Sequence, residues 1–242
     1  MQTDAVKVDP KSVRADLYRP RAGRWAEVDV PPLRYLAVDG HGDPNTAPAY
    51  AVAVGALHTL AYATKFALRE ATGLDAVVAP LEGLWTSADP TAFTGRRKDE
   101  WDWTMLIALP DPTLIGPALI GQARVGAGVT TDDVDAALDR ARTTAATRKP
   151  DVPTGDVRVL TLDEGRCLQT LHVGPYDEEG PTLALLHDEV MPEAGLTWNG
   201  PHHEVYLGDP RRTAPARLRT VLRQPVRAAT GQAEHPSPRI GS

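Results

Sequence analysis

Cysteine and aromatic side chains are scarce in this chain. Its 242 residues include one cysteine, Cys167, and only 5% of them are aromatic: five Trp, six Tyr and two Phe. A single cysteine excludes an internal disulfide and a cysteine-rich zinc site, so Cys167 is expected to be an inert small hydrophobe. Positive charge is also limited, because the net charge is −6. That balance argues against a general nucleic-acid binder.

The sequence also has no clear membrane or export segment. Its longest apolar stretch, residues 47–63, is alanine-rich and carries Pro48, Gly55 and His58, so it falls short of a membrane span. The first residues have neither the basic region nor the apolar region of a secretory signal. We therefore expect a cytoplasmic protein with no membrane partner.

Several catalytic motifs are absent as well. The sequence contains no G-x-S-x-G, Walker loop or G-x-G-x-x-G. In the segment HEVYL, Leu207 stands where a zinc hydrolase of the H-E-x-x-H type needs its second histidine. His172, His202 and His203 lie on predicted strands, where histidines are usually structural. We therefore expect no metal and no cofactor.

Hydrophobic periodicity and turn signals predict an α+β fold in which a strand–helix–strand–strand order occurs twice. The first occurrence, module one, is placed at about residues 25–129 and module two at about 130–227. Module one is predicted to contain a strand at 33–38, a helix from Pro48 to Gly73, strands at 81–87 and 101–109, and an irregular insertion at 110–129. Module two is predicted to contain a helix opened by a capping box at Thr130, a hairpin of 158–162 with 166–173, a helix from Pro181, a strand at 202–210 and a short arginine-rich helix at 214–222. A loosely held arm at 1–24 and a disordered tail at 228–242 flank the two modules.

The few rings fall on the same predicted strands as two glutamates. Trp85, Trp101, Trp103 and Tyr206 come from three strands, while Glu82 and Glu204 lie on two of those strands. Glu204 and Tyr206 are two residues apart, which places them on one face of their strand. Tryptophans often fill a core, and glutamates often lie at an edge. A desolvated glutamate in an aromatic cavity, however, suits a flat, apolar, often cationic ligand.

Three segments carry a resemblance to a known family: WDWTMLIALPD, LHVGPYDEEGPTLALLH and HHEVYLGDPRRTAPARLRTVLRQPV. In these the chain resembles the stand-alone GyrI-like small-molecule-binding proteins over about residues 10–227. The resemblance implies two modules around a pseudo-twofold axis with a ligand cleft between them. It also implies ligand contacts by Glu204, Tyr206, Trp101 and Trp103, with His172 and Tyr176 as further candidates.

Three functions follow as expectations. The first is binding and sequestration of lipophilic or cationic small molecules, with Glu204 as buried countercharge and the rings as walls. The second, implied by the resemblance, is hydrolysis of the reactive cyclopropane of DNA-alkylating natural products, in which Glu204 activates water and Tyr206 stabilises the developing negative charge. The third is a protein-interaction module, as some relatives are for a topoisomerase; with no exposed apolar stripe evident, no obligate protein partner is expected.

Overall fold

A computed structural model describes residues 6–89, 91–112 and 128–229. These residues form a mixed α+β fold built on one large antiparallel sheet, as the sequence predicts. The strands are β1 (Val6–Val8), β2 (Ala26–Val30), β3 (Leu33–His41), β4 (Leu74–Ala76), β5 (Leu81–Thr86), β6 (Asp102–Ala108), β7 (Arg158–Leu162), β8 (Gly165–Val173), β9 (Leu196–Trp198), β10 (His202–Tyr206) and β11 (Arg219–Ala228). The helices are α1 (Pro10–Val13), α2 (Ala15–Tyr18), α3 (Pro48–Thr72), α4 (Thr91–Thr94), α5 (Thr131–Arg148), α6 (Gly180–Leu185) and α7 (Met191–Glu193), and a π-helical turn (Leu186–Val190) joins α6 to α7.

The main sheet runs in the order β2-β8-β11-β10-β5-β6-β3-β7, and β9 pairs with the end of β11. The two central strands, β10 and β5, belong to different halves of the chain and pair antiparallel. The outermost strands are exchanged between the halves. Strand β2 of the first half pairs with β8, and β7 of the second half pairs with β3. The pseudo-twofold relation of the two modules and their boundaries stay predictions.

Helix α3 begins and ends at the residues that carry local signals. Pro48 occupies the first helical position, where its missing N–H costs nothing. Gly73 ends the helix with a φ of +79°, a left-handed conformation that favours glycine. Helix α5 begins at the predicted capping box, in which Thr130 and Asp133 cap each other's backbone.

One face of α3 packs on the sheet. Leu57, Leu60 and Leu68 are fully buried against strands β3 and β6 and against helix α5. By length and composition alone, α3 is also apolar enough to cross a membrane. Its packing against the sheet is that of a core helix.

The opposite face of α3 exposes apolar side chains that sequence analysis did not predict. Val52, Tyr62 and Phe66 are about half exposed and share one face of the helix by their spacing. The expectation that no exposed apolar stripe exists is therefore wrong.

Two predicted elements of the second half are also wrong. The hairpin does not form, because β7 pairs with β3 while β8 pairs with β11 and β2. The arginine-rich helix at 214–222 is replaced by a single 3-10 turn (Pro215–Arg217) followed by β11. The exposed Arg217 and Arg219 alternate with the buried Leu218 and Thr220, so the correct period is that of a strand.

The arm is ordered where it is described. Strand β1 pairs with β4, and Leu17 and Tyr18 of α2 are buried under the sheet, so the expectation of a loose arm is wrong for residues 6–18. Most of the insertion (113–127) and nearly all of the tail (230–242) lie outside the described residues.

Candidate functional site

The site lies on one face of the two central strands. In the register of β10 with β5, Glu204 is opposite Gly83, His202 is opposite Trp85, and Tyr206 is opposite Leu81. Directly opposite residues of an antiparallel pair share a face. Helix α3 covers this face of the sheet in the first half of the chain. The segment from α6 to α7 covers it in the second half. Strands β5 and β10 therefore form the floor between two helical walls.

A chain of hydrogen bonds holds the Glu204 carboxylate on this floor. The Trp85 indole N–H donates to the Tyr206 hydroxyl oxygen at 3.0 Å, and the Tyr206 hydroxyl donates to Glu204 Oε2 at 2.8 Å. The two donors meet above Gly83, where a Cβ would lie 3.0 Å from the indole nitrogen and 3.1 Å from the hydroxyl oxygen. The absence of a side chain at Gly83 leaves room for this arrangement.

Burial sets the charge of this site. The Glu204 side chain is 14% exposed, and burial raises its pKa to about 7 although the Tyr206 hydrogen bond opposes the shift. Burial and then the charge of Glu204 raise the pKa of Tyr206 well above its usual value, so its hydroxyl stays a donor. His202 Nε2 lies 3.6 Å from Glu204 Oε1. Burial lowers the pKa of His202 to about 3, so this neighbour is neutral and does not compensate the carboxylate.

Two further tyrosines stand over the floor. The Tyr176 ring lies in a 3-10 turn (Tyr176–Glu178) and meets the Tyr206 ring edge to face at 5.4 Å. Tyr50, in the first turns of α3, packs edge to face on Trp103 at 5.3 Å. Burial and then the Glu204 charge raise the pKa of Tyr50. Sequence analysis missed Tyr50 because it lies in the predicted helix from Pro48 to Gly73, where the rule that places strand residues on a common face does not apply.

Sequence analysis also missed a second carboxyl. Glu179, the residue before α6, is 5% exposed, and its Oε1 has no hydrogen-bond partner among the described residues. Burial and then the charge of Glu204 raise its pKa to about 10. In the sequence, Glu179 belongs to an acidic pair before Gly180 and Pro181. Acidic residues at this position are also typical of an ordinary helix start, so the sequence alone did not indicate that Glu179 belongs to the site.

The tryptophans divide into site and core. The Trp101 ring is half-buried and contacts the Trp85 ring at 5.6 Å and the Phe93 ring at 5.2 Å. Trp103 is 2% exposed and donates its N–H to the Gly42 carbonyl. Its ring occupies the space of a missing Cβ at Gly40. Trp103 therefore supports Tyr50 from the core, and its contact with a ligand stays a prediction.

Ion pairs connect the two halves beside the site. Asp177 accepts from the Arg96 guanidinium at 2.5 Å and from Lys98 Nζ at 2.9 Å. Lys98 Nζ also lies 5.7 Å from the centre of the Trp101 ring. Arg96 and Lys98 belong to the loop between β5 and β6, whereas Asp177 belongs to the turn that carries Tyr176. We call this group of three residues the clasp.

His172 does not reach the floor itself but lies behind the turn that carries Tyr176. It is buried at the end of β8, in register with Thr220, which is itself opposite Tyr206. Its Nε2 lies 3.1 Å from the Pro175 carbonyl oxygen. His172 thus holds the turn that carries Tyr176.

Glu82 lies on the other face of the sheet, away from Glu204, which corrects its expected place in the ligand site. There it belongs to a buried ionic network of Glu82, His203, Glu164 and Arg223, each at most 4% exposed. His203 Nε2 is 2.9 Å from Glu82 Oε2 and its Nδ1 is 3.0 Å from Glu164 Oε1, while Arg223 Nη1 is 3.2 Å from Glu164 Oε2.

This buried ionic network also fixes the N-terminal segment to the sheet. The Tyr18 hydroxyl donates to Glu82 Oε1 at 3.1 Å, and Arg223 Nη2 donates to the Leu17 carbonyl at 3.0 Å. The network is structural, and it lies directly beneath the strands that form the site.

Other features of the described residues bear on ligands. No group of three or more His, Cys, Asp or Glu side chains is placed to hold a metal ion within residues 6–89, 91–112 and 128–229. Two small cavities, of about 20 and 50 Å³, lie near β4 and under α1 and α2, and Glu204 lines neither. They have room for a few waters at most, so neither of these two cavities holds a ligand of drug size.

Comparisons with known proteins agree with this architecture. The family profile of the GyrI-like small molecule binding domain matches residues 26–227. The chain is 35% identical to an uncharacterized conserved protein from Listeria innocua, covering 91% of this chain and 100% of that one with a TM-score of 0.75. It is 32% and 33% identical to two structures described as hydrolases from Listeria innocua, with TM-scores of 0.73 and 0.70; these cover 92% and 91% of this chain and 100% of the other. A search of curated proteins found no significant match.

Proposed function

The chain belongs to the family of GyrI-like small-molecule-binding domains, and on that premise we propose that it binds flat, hydrophobic, often cationic molecules on the floor formed by β5 and β10. Glu204 supplies the countercharge, and Tyr206, Tyr176, Tyr50 and Trp101 supply the rings. The biological role that fits such binding is sequestration of drugs or toxins in the cytoplasm.

The observation that carries the proposal is the uncompensated Glu204 carboxylate. A buried carboxylate is costly unless a partner offsets its desolvation. Tyr206 gives it one hydrogen bond, and the adjacent His202 is neutral. A ligand cation would supply the missing charge, and the surrounding rings would add cation–π attraction. Because Glu204 is 14% exposed, the ligand must part the rings packed above it, beginning with the Tyr176–Tyr206 contact.

A matched pair of ligands tests this role. N-methylacridinium and acridine have the same flat ring system, but at pH 8 only the first is charged. We expect the purified protein to bind the cation more tightly, with quenching of tryptophan fluorescence. Glu204→Gln should reduce cation affinity by about tenfold to a hundredfold, the effect of one charge-assisted interaction, and leave acridine binding nearly unchanged. The exposed Glu193→Gln is the control. Equal affinity of wild type and Glu204→Gln for the cation would exclude the countercharge role.

Hydrolysis is a second candidate, because two similar structures are described as hydrolases and because the pKa of Glu204, about 7, suits a general base. In this reaction Glu204 takes a proton from water as the water oxygen bonds to a carbon of a strained, electrophilic cyclopropane. The ring C–C bond breaks, and its electron pair moves to a conjugated carbonyl oxygen, towards which the Tyr206 hydroxyl would donate.

Product analysis separates the two functions. The protein is mixed with an excess of an electrophilic cyclopropane in ¹⁸O-labelled water. Several labelled ring-opened products per protein molecule, lost in Glu204→Gln, would support hydrolysis. Stoichiometric binding without product would support sequestration alone.

A further inference from the structure

Glu179 extends the site beyond a single countercharge. It is 5% exposed, and its Oε1 is buried without a partner among the described residues. It follows the turn whose Tyr176 ring rests on Tyr206, and the Tyr206 hydroxyl in turn holds Glu204. The carboxyl also lies beside Thr220, the residue opposite Tyr206 on β11. The two carboxyls therefore lie near the same tyrosine, Glu204 on β10 and Glu179 at the residue before α6.

We propose that Glu179 and Glu204 form a two-carboxyl site that selects dicationic ligands, which bind with release of the proton that the pair holds when the site is empty. The inference rests on the proposed function and specifies its ligand class. The only bond that breaks is the O–H bond of the Glu179 carboxyl: its proton passes to the buffer base, and the second positive charge of the ligand compensates the carboxylate that remains.

The groups that face the pair favour this exchange. From β10 come Tyr206 and the neutral His202, from the second half's turn come Tyr176 and Asp177, from α3 comes Tyr50, and from the loop after β5 comes Lys98. His203, on the opposite face of β10, acts on Glu204 only through the sheet. Lys98 is 2.9 Å from Asp177, and His203 is engaged on the other face with Glu82 and Glu164. Neither cation pairs directly with Glu179 or Glu204 in the described structure.

The energetic argument follows from like-charge repulsion. Two buried carboxylates that interact strongly do not both ionise without compensation, so the pair keeps one proton at neutral pH. The pKa directions agree, since burial and then the charge of Glu204 raise the pKa of Glu179. A monocation needs only the Glu204 charge and leaves the proton in place. A dication compensates both charges, which makes the second ionisation favourable.

Ethidium and propidium provide the test, because they share a phenanthridinium ring and propidium adds a quaternary ammonium on a short tail. Titration calorimetry at pH 8, in phosphate and in Tris, counts the protons released from the difference in observed heat. We expect almost no release with ethidium and close to one proton with propidium. With Glu179→Gln, propidium binding should release no extra proton and should weaken by about tenfold or more, while ethidium affinity changes little. Glu178→Gln, an exposed neighbour, is the matched control.

The outcomes are separable. If ethidium binds with the expected dependence on Glu204 but propidium releases no more protons than ethidium, the two-carboxyl site is wrong and the proposed function stands. If neither cation binds, both are wrong. The comparison of the two dyes on wild-type protein does not depend on the folding of any variant, and a thermal melt of Glu179→Gln verifies its fold.

Discussion

Arg223→Met removes one of two cations from the buried ionic network of Glu82, His203, Glu164 and Arg223. In the wild type, two carboxylates face a guanidinium and an imidazole that is charged at neutral pH. Burial lowers the pKa of His203. The charge and hydrogen bond of Glu164, and then those of Glu82, outweigh burial and raise this pKa to about 9. Without Arg223, the network carries one uncompensated negative charge, and the Leu17 carbonyl loses its donor.

The cost follows from the burial of every member. Removing one partner of a buried ion pair destabilises a protein by about 3–5 kcal/mol. For a chain of this size, each kcal/mol lowers the melting temperature by about 2–4 °C, so we expect a decrease of about 6–20 °C.

Glu164→Gln should cost less, because His203 can adjust. Once its main partner is neutral, burial favours the uncharged imidazole, and loss of a proton at pH 7 is easy for a group with an ordinary pKa of 6.5. Glu82 and Arg223 then balance each other. The remaining cost is an imperfect hydrogen bond, about 1–3 kcal/mol.

Denaturant titrations of the wild type and both variants at pH 6 and pH 9 test this reasoning. A folded-state pKa above 6.5 means that the contribution of charged His203 is complete below pH 6.5 and is lost as pH rises through about 9. The difference between wild type and Glu164→Gln should therefore shrink from pH 6 to pH 9, while contributions of Glu204 and Glu179 cancel because both proteins carry them. An equal loss in the two variants at pH 6, or a difference that grows with pH, would refute the charge-balance argument.

Two further predictions concern the site. Gly83→Ala places a Cβ between Trp85, Tyr206 and Met105, so it should break the Trp85–Tyr206 hydrogen bond. We expect this variant to be less stable by about 1–3 kcal/mol and to bind N-methylacridinium more weakly. Unchanged binding by a folded variant would contradict the role of this hydrogen bond. Asp177→Asn releases Arg96 and Lys98 from the clasp, so ligand dissociation, measured by stopped-flow fluorescence, should become faster. Stability should change little, because exposed ion pairs stabilise weakly. In about 1 M salt, where such pairs are screened, wild type and variant should release the ligand at similar rates, and a difference that persists there would contradict this explanation.

Local signals made parts of the fold predictable. Pro48, Gly73 and Thr130 act on the backbone within a few residues of themselves, so the bounds of α3 and the start of α5 could be predicted from the sequence. Strand pairing is set by distant segments, and there the prediction of a hairpin at 158–173 was wrong. The helix predicted at 214–222 is a strand from Arg219 onward because β8 and β10, with which β11 pairs, come from other parts of the chain. Arg223 of the same strand is buried against Glu164, which is also far away in the chain.

The candidate site was predictable to the extent that residues two apart on a strand share a face. That rule placed Glu204 with Tyr206, and the structure joins them by a hydrogen bond. It could not assign Glu82 and Glu204 to opposite faces, because the register between β5 and β10 depends on the assembled sheet. Glu179 and Tyr50 reach the site from a turn and a helix, where no strand rule applies. Their roles as ligand contacts stay predictions.

The exchange of outer strands makes the two halves of this chain interdependent. A fragment holding only the first half would keep β2 without β8 and would expose the edges of β3 and β5. A fragment of the second half would leave β7 without its partner β3 and would expose the edges of β8 and β10 in the same way. Unpaired edges of this kind recruit other strands. Neither half is therefore a transplantable module. Severed pieces would recover the fold only by reassociating with each other, and the floor of β5 and β10, which spans the cut, would exist only in the reassembled pair.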